Sequence, residues 1–504
     1  MTNNRRDFLS WSTHGLTATA LMSLLQRDGS LRAADAGAKR SQPQTATPGE
    51  AADPPPHLAP KCKRVIHLFL CGGMSHLDSF DYKPLLEKYH GQPLPSTEKP
   101  ETFFGKIGLI RKNDWEFQQR GESGLWISDL FPNIAGVADE LTVIRSMIAD
   151  SANHTPATFQ ANTGFRLNGF PVLGSWLSYG LGCETDDLPA YVVLPDPRGF
   201  PAGGTINWSN GFLPARHQGV AFRTKGQPID DLFPTWPSRA TLTGRSATGE
   251  SRSDSSTVEE ERETREFVAA INRRHQATRP ESDLAARIKS YELAAKMQLS
   301  VPRVTDLAGE TAATQEAYGL NRDETAEFGR SCLLARRLLE QGVRFVQLFA
   351  GGSFGSPRIN WDGHESVKEN HTQEALRVDQ PVAALLRDLR QRGMLDDTLV
   401  LFTTEFGRTP FAQSEANTVG GGRDHNMYGF SVWMAGGGLK HGLSYGSTDD
   451  VGWKSVDKPV YWHDFHATVL KLLGIDHQRL TYYHNGIERR LTNVHGEVVS
   501  DLLA

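Results

Sequence analysis

Asp396-Asp397-Thr398-Leu399-Val400-Leu401-Phe402-Thr403-Thr404-Glu405-Phe406-Gly407-Arg408-Thr409-Pro410 is the stretch whose reading decides the fold. Its apolar run is rich in β-branched residues and of strand length, the pattern of a strand buried on both faces, and it stops at an acid, a glycine, an arginine and a proline. Such a strand belongs inside an α/β sheet, where ligands sit beyond the carboxyl ends of the strands. Glu405 is therefore aimed at a site, and Arg423-Asp424-His425-Asn426 follows closely enough to join it.

Outward from this strand the chain alternates strands and helices. Lys63 to Leu70 reads as a strand that runs into Cys71-Gly72-Gly73, whose glycines let the backbone turn sharply; Leu141 to Ile144, Val343 to Phe349 and Ser431 to Ala435 read as further strands. Helices are expected over Asp129 to Glu140, Phe328 to Gln341, Val378 to Gly393 and His466 to Leu473. Another is expected over Asp283 to Gln298, with Leu284, Ile288, Tyr291 and Ala295 on its packing stripe. The alternation predicts an α/β fold: a mostly parallel central sheet sandwiched between helices, with surface insertions. The largest insertion is a charged helical one at about 215–300.

Composition narrows the class. With 504 residues and 38% hydrophobic content the chain can bury a large core. A net charge of -5 and the lack of any dense Lys/Arg tract interleaved with aromatics exclude nucleic acid as the expected partner. The four cysteines (Cys62, Cys71, Cys183, Cys332) are widely spaced without a Cys-x-x-Cys pair, so neither a zinc ribbon nor a disulfide framework is indicated. Phosphate-loop and dinucleotide fingerprints are missing as well.

The amino terminus reads as an address. Arg5-Arg6 precede Phe8-Leu9, and the mildly apolar stretch from Trp11 to Leu25 is too short and polar to remain as a membrane span, so residues 1–36 read as a twin-arginine export signal ending at Ala34-Asp35-Ala36. A linker over 37–60 then leads to one domain over 61–504, expected in the periplasm or secreted, with no stable membrane span after signal removal.

What remains is a collection of acids and histidines near strand ends: His76, Asp78 and Asp81; Asn153 and His154; Asp362, His364 and His371; Glu405; Asp424 and His425; His463, Asp464 and His466. Oxygen ligands mixed with imidazoles suit one or two divalent ions, zinc or manganese before calcium or magnesium. Asp464 equally reads as a helix cap, and Arg408 as a strand-end partner for Glu405.

Three units resemble sulfatases and other members of the alkaline phosphatase superfamily: Asp379 through Gly407, Phe131 through Val143, and Phe465 to Ile475. Closer still, Ser290-Tyr291-Glu292-Leu293-Ala294, Cys332-Leu333-Leu334-Ala335-Arg336-Arg337, Gly342 to Gln347 and Thr404 to Pro410 resemble an exported sulfatase-like bacterial family, domain of unknown function 1501, from about Arg64 to the carboxyl terminus. The resemblance implies an alkaline-phosphatase-like fold and a metal-dependent hydrolase of a sulfate or phosphate ester. Its substrate would be a sulfated or phosphorylated small molecule or glycan.

Carried over residue by residue, the resemblance implies metal ligands at Asp78, Asp362, His364, Glu405, Asp424 and His425. His154 or Thr155 would stand at the nucleophile, and Arg408 would clamp the anion. Two positions depart from the pattern: Cys71 stands where the superfamily has its first-strand acid, and Phe406 where it has the histidine of an Asp-His pair. These departures leave a second reading, an inactive relative that uses its cleft for ligand binding or assembly.

Overall fold

A computed structural model describes residues 56–95, 100–230, 232, 263, 266–275, 282–352, 354 and 358–504. The expected export signal, the expected linker up to residue 55 and much of the expected charged insertion lie outside the described residues. Residues Ala52–Ala504 form one compact unit. Among the described residues no helix is long and apolar enough to cross a membrane.

The main sheet has nine strands. In chain order they are β1 (Arg64–Leu70), β2 (Leu141–Ile148), β3 (Tyr191–Leu194), β4 (Val220–Ala221), β5 (Phe345–Ala350), β6 (Thr398–Thr404), β9 (Phe430–Gly436), β10 (Leu443–Tyr445) and β11 (Val460–Tyr461). Between β6 and β9 the chain makes a separate antiparallel ribbon, β7 (Gly407–Ala412) with β8 (Arg423–Asn426). The sheet order is β10-β2-β9-β6-β1-β5-β3-β4, with β11 also on β2. Every pairing is parallel except those of β9, which runs against both β2 and β6. The expected mostly parallel α/β sheet is present.

β6 is buried at every residue because it lies inside the sheet with helices on both faces. Val400 and Phe402 join one apolar cluster with Ile66, Leu68, Val346 and Leu348, under α4 (Asp323–Glu340) and α5 (Val367–Gln391). Leu399 and Leu401 join the other with Val65, Phe69 and Phe345, under α1 (His154–Thr163), α2 (Leu173–Leu181) and α6 (Trp462–Leu472). With both faces covered, the side chains from Leu399 to Phe402 are apolar on both sides, which is why the run does not alternate.

Several elements differ from the sequence expectation. Asp129 to Glu140 is broken into a short helix at Pro132–Ala135 and a 3-10 turn at Ala138–Glu140, with Gly136 as the cap between them. β2 runs four residues beyond Ile144. α5 begins at Val367, where Ser366 caps it, and continues through Pro381. In α3 (Ser282–Thr305) Tyr291 is 67% exposed, and the packing face runs instead through Ile288, Met297, Val301 and Val304. Asp424 and His425 lie on β8 of the β7–β8 ribbon, and the glycines before Arg423 belong to the connection between its strands.

The parallel register places the site. Leu70 of β1 pairs with Thr404 of β6, so the residues that follow each strand emerge side by side. Gly72 then donates its N–H to both oxygens of Glu405, at 2.9 and 3.1 Å. Gly72 has a φ of +118°, and a Cβ there would lie 2.6 Å from the backbone nitrogen of Asp362, so only glycine lets the turn after β1 pass against the Trp361–Asp362 backbone.

Candidate metal centre

Four side chains converge beyond the carboxyl ends of β1 and β6. His154 opens α1, Asp362 and His364 lie between β5 and α5, and His425 lies on β8. One potential ligand atom from each falls within 4.8 Å of all the others. The focus is Asp362 Oδ1, with His364 Nε2 at 2.7 Å, His154 Nε2 at 3.2 Å and His425 Nε2 at 3.3 Å.

The far nitrogen of each ring fixes what the near one can be. His425 Nδ1 donates to the carbonyl oxygen of Ala152 at 2.5 Å, His154 Nδ1 donates to Glu405 Oε1 at 2.7 Å, and His364 Nδ1 donates to Gln413 Oε1. Each of these partners accepts, so each Nδ1 carries a proton and each ring turns its Nε2 inward toward Asp362. His364 Nε2 and His425 Nε2 face one another at 2.9 Å, a repulsive contact unless a proton or a cation lies between them. His154 Nε2 is buried and, despite its nearness to Asp362, makes no hydrogen bond. Three imidazoles locked through their outer nitrogens, aimed at one carboxylate oxygen, form the donor set and supporting shell that a divalent transition ion takes. The residues fit such an ion.

Electrostatics agree with that fit. Burial would raise the Asp362 carboxyl, yet the Arg408 charge and the three imidazoles that face it hold it well below the usual carboxylate range. Burial keeps His425 well below its ordinary value and therefore neutral. For His154 burial acts downward but is overruled by Asp362 and Glu405, which raise it. The rings stand among aromatic neighbours: Phe406 lies against His154 and His425 at centroid distances of 5.0 and 4.5 Å, Phe354 lies 4.3 Å from His154, and Phe103 and Phe104 cover His425 and His364 at 5.0 and 4.9 Å.

The other expected site residues have different surroundings. Glu405 sits beside the four, its oxygens taken by the Gly72 N–H and by His154 Nδ1. Asp78 is fully buried against Arg423 Nε at 2.9 Å and the Ser75 hydroxyl at 2.5 Å. Asp424 accepts from the backbone N–H of His425 at 2.8 Å and of Phe104 at 3.1 Å, tying down the Phe103–Phe104 segment. Arg408, expected as an anion clamp, is fully buried and engaged through all three of its nitrogens: Nε with Gly73 O at 2.7 Å, Nη1 with Arg423 O at 3.2 Å, and Nη2 with Asp362 Oδ1 at 2.7 Å, with Trp361 O and with Gly72 O. Its partners are main-chain carbonyls and one protein carboxylate, so it serves to pin the turns. Thr155 is half-buried in the first turn of α1, where its backbone N–H is capped by Asn153 at 3.3 Å.

Cys71, at the first-strand acid position, is fully buried; burial first, then the charge of Glu405, pushes its thiol well above the ordinary value, and the neutral thiol reaches only Phe69 O, at 3.9 Å. His76 and His371 are spent on Gly452 O and the Ser75 N–H, both at 2.9 Å. Asp464 caps α6 as its sequence position suggests, accepting from Tyr461 N at 3.1 Å. Arg358, Gln413 and Ala152 were outside the sequence expectations. A carbonyl oxygen and an amide leave no compositional mark, although the four-residue spacing of Arg358 and Asp362 was available.

No curated protein matches this chain by sequence. Among solved structures it is similar to the lipoteichoic acid synthase LtaP from Listeria monocytogenes, at 9% identity and a TM-score of 0.35 over 83% of this chain and 74% of that one. It is similar also to the PsFucS1 sulfatase from Pseudoalteromonas sp., at 12% identity and a TM-score of 0.34 over 86% and 72% of the two chains. For the alkaline phosphatase from the Antarctic bacterium TAB5 the figures are 10% identity and a TM-score of 0.33 over 82% and 98%. A family model matches residues 62–503, and the chain belongs to that family, DUF1501, described as a protein of unknown function.

Proposed function

We propose that this chain is an exported, metal-dependent hydrolase of a sulfate or phosphate ester carried by a small molecule or a glycan. The observation that carries this reading is the convergence of three Nε2 atoms on Asp362 Oδ1, each ring fixed from behind. His154, His364, His425 and Asp362 would hold the ion. Three nitrogens and one oxygen favour zinc or manganese over magnesium or calcium. The engagement of Asp78 by Arg423, and of Asp424 by backbone N–H groups, supports one ion rather than two.

A divalent ion there supplies a Lewis acid for an ester oxygen. The chain's own residues do the rest. Glu405 acts through His154, holding its Nδ1 proton and so presenting Nε2; this makes Glu405 a positioning residue. With His154 committed to the ion, Thr155 is the hydroxyl left in that turn to attack or to orient water. The placement outside the cytoplasm, periplasmic or secreted, rests on Arg5-Arg6 and the apolar stretch behind them.

A metal-holding but inactive relative is the second reading, favoured by the buried Phe406 at the imidazole position and by the protonated Cys71. Metal analysis of the purified chain, followed by turnover of a panel of phosphate and sulfate esters, separates the two. One bound zinc or manganese per chain with turnover abolished by Thr155→Val supports the hydrolase. Bound metal without turnover on any ester supports the second reading, and no bound metal after reconstitution defeats both.

A further inference from the structure

Two arginines share Asp362, and they differ in what else they do. Arg408 is fully buried and engaged with main-chain carbonyls. Arg358 binds the other oxygen, Asp362 Oδ2, with Nη1 alone. Its remaining edge is forked onto Glu365, with Nε 2.6 Å from Oε2 and Nη2 3.0 Å from Oε1. The Arg358 side chain is 27% exposed and that of Glu365 71%, so this pairing faces water while the Asp362 contact is buried. A carboxylate forked on a guanidinium edge has the geometry of a tetrahedral oxyanion presenting two of its oxygens. Exposed ion pairs contribute little, so the fork exchanges readily for a ligand of higher charge. The anchor on Asp362 keeps the guanidinium next to the oxygen on which the three histidines converge.

We infer that Arg358 is the residue that grips the anionic group of the substrate, and that Glu365 is an internal stand-in occupying that grip until substrate displaces it. This rests on the metal-centre reading above and adds to it the residue that sets affinity for the anion. Arg408 is thereby excluded from that task, since an incoming anion would have to replace a buried set of carbonyls.

The test uses the full chain reconstituted with zinc, with inorganic phosphate and inorganic sulfate as probes, titrated calorimetrically against wild type, Arg358→Ala, Arg358→Lys and Glu365→Gln. Arg358→Ala is expected to weaken phosphate at least about tenfold, the scale of losing hydrogen bonds between charged groups. Arg358→Lys should recover only part of that, because a point charge cannot fork. Glu365→Gln should tighten phosphate about two- to fivefold, the scale of releasing an exposed ion pair. Zinc content is measured on every sample. Full zinc with unchanged phosphate affinity in Arg358→Ala, or weaker binding in Glu365→Gln, overturns this assignment and leaves the metal centre standing. A wild-type chain that takes up no zinc overturns the underlying reading and this assignment with it.

Discussion

Glu405 and Asp362 are both buried acids at the same edge of one sheet, and they are surrounded in opposite ways. Glu405 sees only donors: the Gly72 N–H reaches both of its oxygens, the Thr404 hydroxyl reaches one at 3.2 Å, and His154 offers Nδ1–H. Asp362 is met by two arginines and by the Nε2 atoms of three rings whose Nδ1–H groups are engaged elsewhere. A carboxylate surrounded by donors is complete in itself. One whose oxygen is shared with three imidazole nitrogens is placed as a ligand would be, and that difference separates a supporting residue from a candidate ligand.

Replacing either acid tests the contrast. Asp362→Asn is expected to abolish zinc binding as measured by equilibrium dialysis, since it takes the negative charge from the carboxylate on which the imidazoles converge. Retention of wild-type affinity would place the ion elsewhere. Breaking the third buried acid's partnership should cost stability instead of metal: Arg423→Met leaves Asp78 as an uncompensated buried charge and should lower unfolding stability by about 3–5 kcal/mol in denaturant melts. Glu405→Gln keeps a hydrogen bond to His154 but loses its charge, and zinc affinity should fall about 10- to 100-fold with the fold intact. A loss as complete as that of Asp362→Asn would make Glu405 a ligand after all.

The smallest effect concerns an imidazole of a different kind. His67, on β1 in the middle of the sheet, accepts from Gln347 Nε2 at 3.3 Å and meets the Thr403 hydroxyl at 2.7 Å. Burial, and then the charge of His466, pushes it down to about 3. Its neutral form is the folded form, so the stability it contributes is complete above its ordinary value near 6.5 and drains away as pH falls from there to about 3. Melting temperature against pH should therefore slope down across that window, and His67→Gln should flatten the slope. An unchanged acid limb in that variant would assign the loss to other groups.

These contrasts explain what could be read from the chain. The strand over Thr398–Thr404 was legible because burial on two faces suppresses alternation, and the place of Glu405 followed from where that strand stops. The roles of the acids were not legible. Asp78 and Asp362 look equivalent in sequence, each close to a histidine, but Asp78 is neutralised by Arg423, 345 residues away, and only folding shows it. Arg408 looked like a ligand-facing cation because it follows a strand end. The carbonyls that consume it belong to turns whose meeting depends on Gly72. The locks on the imidazoles, a main-chain carbonyl and an amide, are among the commonest groups in any chain and carry no signal.

The distances along the chain between these partners also bear on when the centre can form. His154 meets Glu405 across 251 residues, and His425 meets Ala152 across 273, so no fragment holding one strand and its neighbour contains a working ligand set. Closing loops of that size is slow and waits on the sheet itself. Unlike a small zinc domain, which folds around its ion, this one would finish folding first and be filled afterwards. A chelator should therefore strip the ion and leave the native sheet standing, because an ion at this site would enter a finished pocket.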